Sequence, residues 1–168
     1  MQENLPRILM SIYRRKTTIF INMDNSIRRS RFNKKHIIGP SDIELIPGRK
    51  PIMVSLQRHG YNVIGLSHQI DLGEKKNFVP ADLLKGFQKT NNLLGLGRFD
   101  NVYWSSMVCK YSTDVRVITH PVRDLGLRSR DCLIVGQVET DYDLAMQLRF
   151  DFVWATKFFS HVVPVIPN

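Results

Sequence analysis

The chain has 168 residues and a formal net charge of +9 at neutral pH. This length fits one domain with a hydrophobic core of its own, and no apolar run of about eighteen residues predicts a membrane span. The first residues lack the basic-then-apolar order of a secretory signal. Cys109 and Cys132 lie far apart and in no metal-ligand pair, which favours reduced thiols in an intracellular, cytoplasmic protein.

Short apolar segments rich in β-branched residues predict the strands of a sheet. They lie at 17–21, 61–66, 99–106, 131–136 and 150–155. Helical patterns with glycine or proline at their ends separate them, at 49–58, 80–94, 113–125 and 139–148. This alternation predicts an α/β fold: a mostly parallel five-stranded sheet with helices on both faces.

We expect a single domain over residues 1–168, with its core at about 17–155. The polar and basic segment 23–45 is too long for a simple connection and predicts an insertion loop after the first strand. The tail 156–168 carries two prolines and predicts extended chain.

The insertion concentrates positive charge around an aromatic residue, Phe32. Basic side chains interleaved with an aromatic ring are typical of surfaces that contact nucleic acid or an acidic protein. The alternative is a solvated loop on a basic protein. The candidate polyanion-binding residues are Arg28, Arg29, Arg31, Lys34 and Lys35.

Polar side chains follow three of the predicted strands: Asn22 and Asp24, then Ser67, then Gln137 and Asp141. In open α/β sheets, ligands and chemistry lie in the crevice at the carboxyl ends of the strands. We therefore expect these side chains to meet at one rim of the sheet.

The order of these segments resembles the haloacid dehalogenase superfamily, and within it the small histidinol-phosphate and heptose-bisphosphate phosphatases. The strongest piece is the Pro47-Gly48 pair, a helix, and then His59-Gly-Tyr-Asn leading into a strand that ends Ser67-His-Gln. The segments 99–103 and 126–136 follow the later pattern of the family. The resemblance implies a three-layer Rossmann-like fold and magnesium-dependent hydrolysis of phosphomonoesters.

Position by position, the resemblance assigns roles to the strand-end residues. Asn22 stands where the family has its nucleophilic, metal-binding aspartate, and Asp24 matches the general acid/base. Ser67 matches the hydroxyl that contacts phosphate. Lys110 and Arg116 are the candidates for the basic phosphate-binding group.

The fourth family motif has an amide where an aspartate would hold magnesium. That position is Gln137, with Asp141 a few residues on. An amide is a poor nucleophile for phosphorus, and magnesium prefers charged oxygen ligands. Asn22, Gln137 and Asp141 are thus would-be metal positions at which we expect no metal, and we expect no cofactor unless an active enzyme binds Mg²⁺.

These departures predict a phosphatase-like fold without phosphatase activity that binds a ligand, a protein or a nucleic acid. One alternative is an active, magnesium-dependent phosphomonoesterase, a hydrolase in which Asp24 or Asp141 has taken over. Another is a basic nucleic-acid-binding subunit of a larger complex that uses residues 28–35.

Overall fold

A computed structural model describes residues 16–35, 37–67, 80–95 and 122–160 of the chain. The strand predicted at 99–106 lies outside the described residues. So does the helix predicted at 113–125, apart from its end. Among the described helices, none is long and apolar enough to cross a membrane.

Parallel strands form the central sheet in the order β4-β1-β5-β6, and β2 and β3 form a separate antiparallel pair. The strands are β1 (Thr18–Asn22), β2 (Arg28–Ser30), β3 (Ile43–Leu45), β4 (Asn62–Leu66), β5 (Cys132–Gly136) and β6 (Asp151–Trp154). The helices are α1 (Arg49–Arg58), α2 (Pro80–Leu94), α3 (Glu139–Leu148) and α4 (Ala155–Ser160). The predicted α/β fold with a parallel sheet is confirmed.

The sheet is covered on both faces because the residues of β1 alternate between two hydrophobic clusters. Ile19 and Ile21 pack in a cluster that includes residues of α1 and α4, whereas Phe20 packs in a cluster with residues of α3. All residues of β1 are buried, as the apolar run of this strand predicts. The result is a three-layer arrangement around a strand that leads directly into the polar rim.

The segment 23–45 is more ordered than the predicted insertion loop. It contains β2 and β3, which pair from Arg28 opposite Leu45 to Ser30 opposite Ile43, and a 3₁₀ turn at Pro40–Asp42. The sequence did not predict this hairpin, because the buried face of β2 carries the polar residues Arg28 and Ser30.

The prediction of an extended tail from residue 156 is wrong for its first residues. Helix α4 continues to Ser160, and Phe158 and Phe159 are buried in the cluster beneath the sheet. The prolines that suggested extended chain, Pro164 and Pro167, lie beyond this helix and outside the described residues. Burial of the two phenylalanines explains why the chain continues as a helix after β6.

Candidate functional site

Three neighbouring parallel strands, β4, β1 and β5, place the predicted polar residues at one rim of the sheet. Asn22 is in register with Leu66, the residue before Ser67, and Ile21 is in register with Val135. The strands that lead to Asn22, Ser67 and Gln137 are therefore neighbours in the sheet, as the sequence predicts. Their carboxyl ends open at the same edge.

Asn22 forms a direct hydrogen bond with Asp141 inside this rim. Its Nδ2 donates to Asp141 Oδ2 at 2.9 Å, and its Oδ1 accepts the backbone N–H of Asp24 at 3.1 Å. Asn22 is 3% exposed and Asp141 is fully buried. An amide suits this position because its N–H donates a hydrogen bond to Asp141, whereas an ionised aspartate here would have no proton to donate.

The Asp141 carboxylate is further held at the start of α3. Its Oδ2 also accepts the backbone N–H of Gln137 at 2.7 Å and that of Val138 at 3.1 Å. Backbone N–H groups at the start of a helix have no partner within the helix, so a side-chain oxygen there satisfies them. Gly136 permits the close approach, since a Cβ added there would lie 2.6 Å from Asp141 Cβ. Asp141 is thus a capping residue of α3 with an oxygen already bonded by three N–H groups.

Asp24 is paired with a buried cation. Arg28 Nε donates to Asp24 Oδ1 at 2.9 Å, and the Arg28 side chain is only 1% exposed. The rest of its guanidinium donates to Gly86 O at 3.2 Å, Thr90 Oγ1 at 2.9 Å and Ser67 Oγ at 3.3 Å. The prediction that Arg28 contacts a polyanion at the surface is wrong, because this side chain joins the strand-end loop to α2 in the interior.

Ser67 belongs to the same network. Its hydroxyl donates to Asp24 Oδ2 at 2.5 Å while it accepts from Arg28, and the residue is 4% exposed. A phosphate could reach this hydroxyl only if the network opened. Phosphate binding at Ser67 stays a prediction, and the other candidate phosphate ligands, Lys110 and Arg116, lie outside the described residues.

The described part of the rim does not fit a magnesium ion. Magnesium requires hard oxygen ligands in near-octahedral geometry. Both Asp24 oxygens accept bonds from Arg28 and Ser67, Asp141 Oδ2 accepts three N–H groups, and Asn22 Oδ1 accepts a backbone amide. Among the described residues, no group of three His, Cys, Asp or Glu side chains converges as a metal site.

The remaining predicted polyanion-binding residues lie on β2 and on the turn that follows this strand. Arg29 is about half exposed, and its Nε donates to Glu44 Oε1 at 2.6 Å across β2 and β3. Arg31, Lys34 and Lys35 are exposed. The sequence did not reveal that Glu44 neutralises Arg29, although the register of two short paired strands makes them direct neighbours.

Sequence reasoning missed the role of Asp42, which is fully buried. Its Oδ1 accepts the Ser30 hydroxyl at 2.7 Å and the Phe32 N–H at 3.1 Å, and its Oδ2 accepts the Ile38 N–H at 3.0 Å. A short acidic side chain close to a turn signal could have suggested such a backbone-binding role.

Comparison with solved structures identifies neighbours that share this architecture. The D,D-heptose 1,7-bisphosphate phosphatase of B. bronchiseptica, solved with magnesium and phosphate, aligns with a TM-score of 0.70 and 15% identity over 90% of this chain and 89% of its own. The D,D-heptose 1,7-bisphosphate phosphatase of Burkholderia thailandensis aligns with a TM-score of 0.58 and 19% identity over 80% and 75% of the two chains.

An uncharacterised protein of Listeria monocytogenes serotype 4b also aligns, with a TM-score of 0.57 and 15% identity over 82% of this chain and 77% of its own. No family model and no curated protein sequence matches the chain. The chain therefore has the fold of the heptose-bisphosphate phosphatases, and the resemblance to the haloacid dehalogenase superfamily is confirmed at the level of the fold.

Proposed function

We propose that this chain is a phosphatase-fold protein that does not hydrolyse phosphomonoesters and instead acts by binding. The observation that carries the proposal is the hydrogen bond from Asn22 Nδ2 to the buried carboxylate of Asp141. Asn22 carries an amide at the position where the resemblance expects a nucleophilic aspartate. This hydrogen bond orients the amide toward Asp141, which caps α3. We also propose an intracellular location, on the sequence argument from widely spaced cysteines.

Attack on phosphorus needs an ionised oxygen in line with the leaving group, and Asn22 supplies none. Phosphoryl transfer also depends on cations that offset the charge spreading over the phosphoryl oxygens. Gln137 replaces a charged magnesium ligand by a neutral side chain. The two substitutions remove different requirements of one reaction, which supports the same conclusion independently.

The hydrogen bonds of Asp24 are a third observation that supports the proposal. A general acid must reach the leaving group and change its protonation during the reaction. Here both oxygens of Asp24 are engaged, one by the buried Arg28 and the other by Ser67. A general-acid role would require Asp24 to break at least one of these hydrogen bonds in order to reach a leaving group.

The test is a phosphatase assay with magnesium on sugar, amino-alcohol and nucleotide monophosphates. The natural chain is compared with the double variant Asn22→Asp/Gln137→Asp and with a triple variant that adds Arg28→Met. We expect no turnover by the natural chain and measurable turnover by the double or the triple variant. Circular dichroism and thermal melting verify that each variant is folded before it is assayed.

Turnover by the natural chain that disappears in Asp24→Ala or in Asp141→Ala would overturn the proposal and favour the active phosphomonoesterase. Turnover that survives both changes would indicate a contaminating phosphatase, which further purification should remove. If the natural chain shows no turnover and a redesigned variant does, the loss of phosphatase activity is due to the substituted positions.

A further inference from the structure

The surface that follows β2 combines exposed cations with an exposed aromatic ring. Arg31, Phe32, Lys34 and Lys35, here named the basic platform, are all exposed, and Phe32 is 56% exposed. The Arg31 guanidinium lies 5.5 Å from the centroid of the Phe32 ring. More than half of this aromatic surface is therefore open to a planar partner from outside the described chain.

Hydrogen bonds to the buried residues Ser30 and Asp42 hold the backbone of the platform. Asp42 accepts the Phe32 N–H through Oδ1 and the Ile38 N–H through Oδ2, and its backbone oxygen accepts the Arg31 N–H at 2.7 Å. The Ser30 hydroxyl accepts the Lys34 N–H at 3.1 Å. A loop fixed in this way presents its side chains without a large loss of backbone entropy on binding, which is the physical content of preorganisation.

The structure also separates the available cations of the segment from the committed ones. Arg28 is buried against Asp24, and Arg29 is paired with Glu44. The other basic residues of the described segment 28–35 are Arg31, Lys34 and Lys35, and all three are exposed. Neither Asp24 nor Glu44 is paired with them.

We infer that the basic platform binds single-stranded nucleic acid, with backbone phosphates on Arg31, Lys34 and Lys35 and one base stacked on Phe32. Cations along a surface follow the phosphate backbone, and an exposed aromatic ring supplies a stacking platform that accepts any base. An unpaired base has a free face for Phe32, whereas in a duplex the faces are already stacked. This inference goes beyond the proposed function and does not depend on turnover at the strand-end rim.

The experiment measures binding of fluorescent oligouridine and oligothymidine of about twelve nucleotides by anisotropy across a range of salt concentrations. Three phosphate contacts predict a slope of log K against log salt of about −2 for a single strand. The variant Arg31→Gln/Lys34→Gln/Lys35→Gln should lose this binding. The matched control, Lys50→Gln/Lys89→Gln/Lys157→Gln, removes the same charge at exposed positions elsewhere and should retain it.

The role of the ring is tested by Phe32→Ala. We expect single-strand binding to weaken by about fivefold or more, because stacking on an aromatic ring contributes to each bound base. Binding to heparin, a polyanion without bases, should be unchanged by Phe32→Ala. Absence of binding at low salt, or equal loss in both charge variants, would overturn the proposal. Binding that ignores Phe32→Ala, or that is equally strong for a duplex, would overturn its single-strand part.

Discussion

At the scale of single residues, the strand-end rim is defined by side chains that bond to one another. Asn22 donates to Asp141, and Arg28 and Ser67 donate to Asp24. An isolated buried charge is costly, so each of these partners is needed by the other. The described rim is therefore a hydrogen-bonded polar network, and we expect its members to contribute to stability.

The pair formed by Arg28 and Asp24 should show strong energetic coupling. Removing one partner of a buried ion pair costs about 3–5 kcal/mol, since the other charge is left uncompensated. We expect Arg28→Met and Asp24→Asn each to destabilise the chain strongly, and the double variant to cost at least about 1 kcal/mol less than their sum. Urea denaturation of the four proteins measures this cycle.

The exposed pair formed by Arg29 and Glu44 provides the matched control. Its side chains are 51% and 41% exposed, so water screens the interaction. The corresponding cycle with Arg29→Met and Glu44→Gln should give a coupling of about 0.5 kcal/mol or less. Equal coupling in the two cycles would contradict the view that Arg28 is a structural cation of the interior.

The buried position of Cys132 predicts how fast its thiol reacts. Burial raises the pKa of its thiol from 9.0 to about 11, so the thiolate is scarce at neutral pH. With Cys109→Ser as the background, we expect slow modification of the native chain by a thiol reagent at about pH 8 and fast modification in urea. Rapid modification of the native chain would contradict the buried position.

The same pKa shift fixes a pH dependence. Because the folded chain holds the thiol proton more tightly than the unfolded one, stability from this group is complete below pH 9.0 and is lost toward about pH 11. In the Cys109→Ser background, a Cys132→Ala variant should show a smaller loss over this window. An identical loss in both proteins would assign it to other groups.

At the scale of elements, the hairpin depends on Asp42. Its buried carboxylate satisfies the Ser30 hydroxyl and the Phe32 and Ile38 amides. Asp42→Ala leaves these donors without an acceptor, so we expect a loss of about 2–4 kcal/mol in the free energy of unfolding. Chemical denaturation measures the loss, and hydrogen exchange should be faster at Phe32 and Ile38 than in β1. Unchanged exchange at these two amides would contradict the role of Asp42.

The regular elements could be predicted from local sequence because their signals are local. Helices at 49–58, 80–94 and 139–148 match the predicted bounds, with Gly48 and Gly60 in the left-handed region beside the first. The hairpin was missed because β2 buries the polar residues Arg28 and Ser30, which reverses the usual pattern.

The partners within the site were harder to predict than the elements. Arg28 contacts Gly86 and Thr90 on α2, which lie about sixty positions along the chain. No local sequence pattern indicates a contact over this separation. The cluster of arginines was therefore interpreted as a polyanion-binding surface. The rim itself was predicted, because strand ends in a parallel sheet follow from the alternation of elements.

At the scale of the whole molecule, the chain keeps the fold of the heptose-bisphosphate phosphatases at 15% and 19% identity. A fold is preserved by its apolar core, and its function depends on the site that it carries. In this chain, β1 and β5 are buried throughout, while the residues at their ends bond to one another. The sheet thus has the neighbours' architecture, whereas the described rim holds its carboxylate and amide oxygens in hydrogen bonds within the chain, and we expect such a rim not to bind a metal.

A magnesium titration of thermal stability tests this central claim most directly. A ligand at about tenfold its Kd stabilises the native state by about 1.4 kcal/mol, which a melting curve resolves. We predict that the melting temperature of the natural chain is the same in EDTA and in about 10 mM magnesium, whereas Asn22→Asp/Gln137→Asp is stabilised by the ion. A rise of the melting temperature of the natural chain with magnesium, removed by Asp24→Asn or Asp141→Asn, would contradict the account.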